Sequence, residues 1–301
     1  MTGIDEIESG TASTPETLLP GRILLVEDNE LNQQVVLGTL QAFDGTATVV
    51  ENGRDAVRVL AEESFDVVLM DCQMPLMDGY EATRLIRQQE RFVRSSAGQS
   101  TTRPRRVPIV AMTASAMAGD REKCLRTGMD DYVSKPFTGE QLLRVVNKWL
   151  RHSTSNPQTA TPVESKSSSA TMAAGSGNGK PANGSPIDAA AIETIQALED
   201  NGSPGLVARL IEVYLRTSPE LIGSMREAVG EEDADTIERT AHSLKSSSAT
   251  LGALELAALC KELEQIGREA ATAQAADVFA SLELEFDRVQ RALSDQWQET
   301  A

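Results

Sequence analysis

Several things are scarce in this 301-residue chain, and each scarcity excludes something. There are three cysteines, Cys72, Cys124 and Cys260, with no C-x-x-C spacing among them. Neither a disulfide framework nor a thiolate zinc site is indicated, and a reducing compartment is expected. The first residues include Asp5, Glu6, Glu8 and Glu16 in place of the basic start and apolar core of a signal peptide, and no stretch is apolar for long enough to span a bilayer. Cations are the minority: 28 lysines and arginines stand against 45 acids, a formal net charge of −17. That balance argues against coating nucleic acid or anionic membrane. The expectation is a cytoplasmic protein with no nucleic-acid partner and no membrane insertion. Histidine is rarer still, with only His152 and His242. A Gly-rich ATP-binding segment, a kinase dimerisation helix pair and a basic helix-turn-helix are also missing.

What is present falls into two patterned parts. After a polar tail at residues 1–20, an apolar run from Ile23 to Val26 ends in Glu27-Asp28. Similar runs follow at residues 47–50, 66–70, 107–112 and 130–133, each separated by a helix-length amphipathic segment. Strands alternating with helices predict a doubly wound α/β domain over residues 21–150, a five-stranded parallel sheet covered on both faces and closed by a helix at 138–150. Residues 151–186 turn to Ser, Thr, Ala, Gly, Asn and Pro, a composition that cannot offset chain entropy by burial. As a coil such a linker spans on the order of 30–36 Å.

From 187 to 301 the period becomes helical, with segments at 204–229, 233–250, 255–268 and 273–297. They predict an all-α antiparallel four-helix bundle. Asp188 is placed to cap a short leading helix, Ser203 before Pro204 to start the first long one, and Asp233 the next. Acidity is uneven: 16 basic and 18 acidic residues in 21–150 give −2, and 9 and 22 in 187–301 give −13. Arg91, Arg94, Arg103, Arg105 and Arg106 crowd a connection at 88–106, expected to be a solvated loop, long for an αβ link.

In an open parallel sheet, ligands bind beyond the carboxyl ends of the strands where strand order reverses. Glu27 and Asp28 end the first strand and Asp71 ends the third, which predicts one small acidic pocket. Such crowding is relieved by a raised pKa or a divalent cation. Magnesium suits it, being a hard ion held by one or two carboxylates together with a phosphate. Lys135 after the fifth strand and Thr113 after the fourth can face that phosphate, and Asp71 is the candidate nucleophile toward phosphorus.

The sequences Glu27-Asp28-Asn29, Met70-Asp71-Cys72-Gln73-Met74-Pro75-Leu76-Met77-Asp78-Gly79, Thr113-Ala114 and Lys135-Pro136-Phe137 resemble the receiver domain of two-component response regulators, across residues 21–150. The resemblance implies a flavodoxin-like fold with Asp71 as phosphoacceptor. It implies that Glu27, Asp28, Asp71 and the backbone carbonyl of Gln73 hold Mg2+, and that Thr113 and Lys135 contact the phosphoryl group. It also implies a switch through Thr113 and Tyr132, and a cis peptide at Pro136. Asp78-Gly79 is read as turn chemistry, with Gly supplying a conformation other residues avoid.

In the second part, His152 sits at the linker's edge and is read as incidental. In segment 233–250 the apolar stripe Ile237, Ala241, Leu244 and, with small Ser248, Leu251 faces a core, and His242 lies roughly a hundred degrees away from it. An exposed imidazole can act as a nucleophile, with the Lys245 ammonium one turn on to neutralise an incoming phosphoryl group. The run Ala241-His242-Ser243-Leu244-Lys245-Ser246-Ser247-Ser248-Ala249-Thr250-Leu251-Gly252 resembles the motif of histidine-containing phosphotransfer (HPt) domains. It departs from that motif at Ser246, where many members have Gly. Small residues around His242 leave room for a partner's site to close over the ring.

Together the two resemblances imply a two-component phosphorelay protein that carries phosphoryl groups on Asp71 and His242. Such a protein is not an ATP-dependent enzyme; it takes phosphoryl groups with Mg2+ from a donor and dephosphorylates itself. The implied partners are a sensor histidine kinase and other receiver or HPt domains, the chain's own second domain among them. Two alternatives stay open: a receiver-gated protein-binding module with a silent His242, and the detached C-terminal part of a hybrid sensor histidine kinase.

Overall fold

A computed structural model describes residues 21–96, 106–113, 118–135, 137–154, 185–200 and 202–300. The tail at 1–20, Pro136 and most of the linker expected at 151–186 lie outside the described residues. The first part comprises β1 (Ile23–Val26), α1 (Glu30–Gln41), β2 (Ala47–Val50), α2 (Gly53–Glu62), β3 (Val67–Asp71), α3 (Gly79–Ser96), β4 (Ile109–Thr113), α4 (Ala118–Thr127), β5 (Asp131–Ser134) and α5 (Gly139–Thr154). All strands are parallel, in the order β2-β1-β3-β4-β5. The inner strands β1, β3 and β4 are buried on both faces and read as nearly unbroken apolar runs, whereas the edge strands β2 and β5 are part-exposed. Alternate residues serve two cores. Leu24, Val26, Val68 and Met70 pack with Ala56, Ile86 and Cys124 of α2, α3 and α4, while Ile23, Leu25, Val67 and Leu69 pack with Val36, Leu40, Leu142 and Val146 of α1 and α5.

The second part comprises α6 (Ala189–Asp200), α7 (Leu206–Glu231), α8 (Ala234–Thr250), α9 (Leu254–Arg268), a 3-10 turn (Thr272–Gln274) and α10 (Ala275–Thr300). Helices α7 to α10 close a four-helix bundle around Leu210, Tyr214, Leu244, Leu256, Leu263 and Leu282. Short connections make sequential helices antiparallel. Asp233 caps α8 through the amide of Thr236 at 3.1 Å, and Asp188 accepts from the amide of Ala190 at 3.0 Å. Gly267 brings α9 close against α8: a Cβ there would lie 2.6 Å from the Glu238 nitrogen and 2.7 Å from the Ala234 oxygen.

The two parts are in contact along α1. Leu31, 1% exposed, joins the apolar core of the bundle, with Val35 packed beside it. A Cβ on Gly38 would meet Leu206 at 2.8 Å.

In its helices and turns the structure departs from the sequence expectation at several places, and α5 runs on to Thr154, past the expected end at 150. The basic stretch at 88–106 is not all loop, since α3 continues to Ser96. Its Gln, Glu and Arg residues are good helix formers, and the buried Arg87 ties the helix to Gly128, Val107 and Asp130. Arg106 pairs with Asp130. Ser203 does not cap α7; Gly205 holds that place with a left-handed φ of 68°, the Val207 amide donates to Glu199 at 2.8 Å, and the Ser203 hydroxyl donates to the Gly38 carbonyl at 2.5 Å. Asp78 does make turn chemistry, accepting from the Glu81 amide at 2.6 Å. Gly79, however, is required by close approach and not by its φ, because a Cβ would sit 2.0 Å from the Asp71 carbonyl oxygen.

Candidate functional site

Two clusters of polar side chains, one from each part, line a common cleft. In the sheet, β1 lies between β2 and β3, so the point where strand order reverses falls at the ends of β1 and β3. Glu27 and Asp28 follow β1, Asp71 ends β3, and carboxylate oxygens of all three lie within 4.8 Å of one another. Lys135, just after β5, donates to Glu27 Oε2 and to Asp71 Oδ2, both at 2.6 Å. Its backbone amide donates to the Thr113 carbonyl at 2.6 Å, which fixes the ends of β4 and β5 at the pocket. The Gln73 amide donates to Asp71 Oδ1 at 3.2 Å. Tyr132 lies on β5, half-buried, with the Arg121 guanidinium 5.8 Å over its ring.

One cation does not balance three acids here. Burial first, and then the charge of Asp71, push the Glu27 carboxyl up to about 8 against the pull of Lys135. The same two causes push Asp28 up to about 6, with Lys135 and His242 among the groups pulling it down. Burial alone would depress Lys135, but Asp71 and Glu27 outweigh it and hold the ammonium above its ordinary value. The pocket therefore has room in its charge balance for a further cation, and its all-oxygen donor set fits a hard divalent one.

The second cluster is on α8 and α9. His242 is not the exposed imidazole expected from its helix position; its side chain is 13% exposed. Its Nδ1 lies 3.0 Å from Glu264 Oε1 and 3.4 Å from Lys245 Nζ. Glu264 also takes hydrogen bonds from Lys245 and, at 2.8 Å, from Arg268. Burial works to raise the Glu264 carboxyl, but hydrogen bonds from His242 and Lys245 overcome it and bring the pKa down to about 2. An ionised carboxylate can only accept, so Nδ1 carries the proton. The lone pair of a neutral ring is then on Nε2. Glu264 and Arg268 were missed from the sequence. The available signal was an acid set into the apolar stripe of α9, among Leu256, Cys260, Leu263 and Gly267.

The cleft between the clusters, about 1010 Å³, is lined by Gln73 and Thr113 on one side and by Lys245 and Glu264 on the other. The start of α1 and its cap also bond to α8: Asn29 Nδ2 donates to the Ser243 carbonyl at 3.2 Å, and Asn32 Nδ2 donates to Ser246 Oγ at 2.9 Å. The same Asn32 nitrogen donates to Glu27 Oε1 at 2.8 Å, so a hydrogen-bonded chain runs from Ser246 into the acid pocket. Ser246 thus meets the first part through its hydroxyl. The Asp71 carboxylate and the His242 imidazole thus stand behind the two walls of this cleft, each with an ammonium beside it.

These two clusters belong to known domains. The family model of the response regulator receiver domain matches residues 23–147, and that of the Hpt domain matches residues 209–292. The chain therefore joins a receiver domain to an HPt domain, the architecture of two-component phosphorelays. It is 43% identical over 142 residues to probable histidine kinase 4 of Oryza sativa subsp. japonica, covering 44% of this chain and 14% of that one. It is 43% identical over 136 residues to the sensor protein GacS of Pseudomonas syringae pv. syringae, covering 45% of this chain and 14% of that one. The chain thus spans about one seventh of these relatives. A receiver-domain crystal structure from a Pseudomonas aeruginosa sensor histidine kinase, which holds magnesium in its active-site cleft, is 44% identical with a TM-score of 0.37, covering 44% of this chain and 98% of that one. Among the described residues, no helix is long and apolar enough to cross a membrane.

Proposed function

We propose that this chain is a phosphorelay carrier in which a phosphoryl group rests alternately on Asp71 and His242. The observation that carries the reading is the cleft between the two domains, lined by Gln73, whose amide bonds Asp71, and by Glu264 and Lys245, which hold His242. Asp71 attacks the phosphorus of a donor, forming a carboxylate-oxygen to phosphorus bond as the donor's bond to phosphorus breaks. His242 Nε2 then attacks the same phosphorus. The nitrogen–phosphorus bond forms as the Asp71 bond breaks and returns a carboxylate, while Glu264 holds the proton on Nδ1 and balances the charge that develops on the ring. The step is reversible, and water attacking the acyl phosphate ends it without transfer.

Lys135 leaves its ion pair to meet the phosphoryl oxygens, Thr113 supplies a hydroxyl donor, and Lys245 screens the group as it arrives at His242. Glu27, Asp28, Asp71 and the Gln73 carbonyl are the groups that would hold Mg2+. Bound there, the cation neutralises the acids and the charge on the transferred group. The switch follows from the same contacts: nearly two added negative charges draw Thr113 and Lys135 toward the phosphoryl group, and Tyr132 on β5 moves with them.

The donor for Asp71 is a sensor kinase phosphohistidine or a small acyl phosphate, and the acceptor from Asp71 includes the chain's own His242. We place the working domains at 21–150 and 187–301, in the cytoplasm. The kinase relatives favour a second reading in which the same relay operates as the receiver and HPt portion of a hybrid sensor kinase. The test is incubation with Mg2+ and acetyl phosphate, followed by intact mass and by acid- and base-lability of the label. Base-labile label on Asp71 that gives way to acid-labile label on His242 supports the relay; label confined to Asp71, with His242 silent, overturns it in favour of a receiver-gated binding module.

A further inference from the structure

The surface around His242 is the surface on which any acceptor or donor domain must land, and here it is covered. Helix α1 lies across it, with Leu31 inside the apolar core of the bundle and Val35 beside it. Four polar contacts fix the register: Asn32 to Ser246 at 2.9 Å, Asn29 to the Ser243 carbonyl at 3.2 Å, Ser203 to the Gly38 carbonyl at 2.5 Å, and Arg216 to Glu30 at 2.6 Å. The fit also depends on a residue without a side chain, since Gly38 admits Leu206 where any Cβ would clash. Ser246 is the residue at which the chain departs from the usual HPt motif, and its hydroxyl is matched by an amide on the chain's own receiver.

We propose that Ser246, Arg216 and Ser203 are specificity-determining residues that address this HPt domain to its own receiver. The relay then runs within one chain, and an outside receiver reaches His242 only after α1 has left. The inference rests on the reading of Asp71 and His242 as phosphoryl carriers. Covalent connection sets the local concentration of the chain's own receiver on the order of mM. An outside receiver of equal intrinsic affinity present at about 1 μM is therefore outcompeted on the order of 1000-fold. Matched polar groups add discrimination, because a receiver lacking an Asn32 equivalent leaves the Ser246 hydroxyl without that partner.

The experiment uses full-length chains. An Asp71→Asn chain, whose His242 can accept but whose receiver cannot be charged, is mixed at about 1 μM with a His242→Gln chain charged by acetyl phosphate and Mg2+. Transfer between chains is timed against transfer within the unsubstituted chain. The expected result is transfer at least 100-fold slower between chains, accelerated tenfold or more when Leu31→Asp is added to the Asp71→Asn chain. Equal rates within and between chains, or no response to Leu31→Asp, overturn the proposal. Should Leu31→Asp unfold α1, the charge reversal Arg216→Glu in the acceptor chain gives the same direction of change, and Glu30→Arg in that chain restores the slow rate.

Amide hydrogen exchange of α1 in the unphosphorylated chain supplies a readout independent of chemistry. Protection that falls with Leu31→Asp supports the closed arrangement even if no phosphoryl group ever reaches His242, in which case it is the relay reading that fails. Unchanged protection overturns the docking while leaving the relay to stand.

Discussion

Glu264→Gln isolates the part of the site that the sequence did not reveal. The change keeps size and shape but removes the charge that fixes the His242 tautomer and pairs with Lys245. In the native chain a carboxylate only 6% exposed accepts from His242 Nδ1 at 3.0 Å and from Lys245. Hydrogen bonds to a charged group are worth about 1.5–3 kcal/mol. If that full amount stabilises the ring as it takes on positive charge at phosphorylation, transfer slows by roughly 10- to 150-fold. The amide can also turn its nitrogen toward Nδ1 and stabilise the other tautomer, which carries the proton on Nε2 and cannot attack. Rapid-quench measurement of label passing from Asp71 to His242 gives the rate. The 15N shifts of the imidazole give the tautomer, and Glu264→Asp, with its shorter carboxylate, should recover part of the rate. A Gln variant with unchanged transfer rate and an unchanged Nδ1-protonated ring would refute the assignment. A slower rate with an unaltered tautomer would leave Glu264 acting through its charge on the ring and on Lys245, and not through the tautomer.

Other consequences follow from the same geometry. Mg2+ must displace protons from Glu27 and Asp28, whose carboxyls stand at about 8 and about 6. Its affinity should therefore strengthen as pH rises from 6 to 8 with release of protons, measured by calorimetry in two buffers of different ionisation heat; affinity flat across that range would count against a metal site built on these acids. Glu264 lies well below its ordinary value, at about 2. The stability it contributes is complete above about pH 4.5 and is lost as pH falls toward 2, so the difference in urea midpoint between native and Glu264→Gln chains should shrink across that window. Gly267→Ala would force α8 and α9 apart at their closest approach. A loss of about 1–3 kcal/mol by urea unfolding is expected, together with a weakened His242–Glu264 pair visible in the ring shifts; a stability equal to that of the native chain would show the helices free to give way.

The strands and most helix ends were legible because each rests on a local pattern: buried parallel strands as apolar runs, α8 as a capped amphipathic segment. The acid pocket was legible as well, since its members are strand-end residues whose neighbourhood follows from sheet order. Two kinds of feature were not. The end of α3 was obscured because residues 88–96 form a largely solvent-facing helix with no apolar stripe to mark it, and length and composition favoured a loop. The partners of His242 were obscured because Glu264 is 22 residues away and meets it only through the close packing at Gly267. The role of Ser203 depends on a residue 165 positions earlier, which no local rule for helix caps can supply. The contacts that sequence reasoning missed are thus those made between helices and between domains, where pairing is decided by packing and not by spacing.

Net charge does not hold the two domains together. Residues 21–150 carry a net −2 and residues 187–301 a net −13, so the general field between them is repulsive, and phosphorylation adds to it. What favours contact is short-ranged: the burial of Leu31 and Val35, the seating of Leu206 against Gly38, and hydrogen bonds at Asn29, Asn32 and Ser203. The Arg216–Glu30 pair is solvent-exposed, where such pairs contribute about 0–1 kcal/mol. Raising salt from about 0.01 M to 1 M shortens the screening length from roughly 30 Å to 3 Å. That change weakens the diffuse repulsion while leaving apolar contact intact. Protection of α1 against amide exchange should therefore hold steady or rise with salt. Protection that falls steadily over the same range would mean that ion pairs carry the docking, and that Arg216, not Leu31, is its anchor.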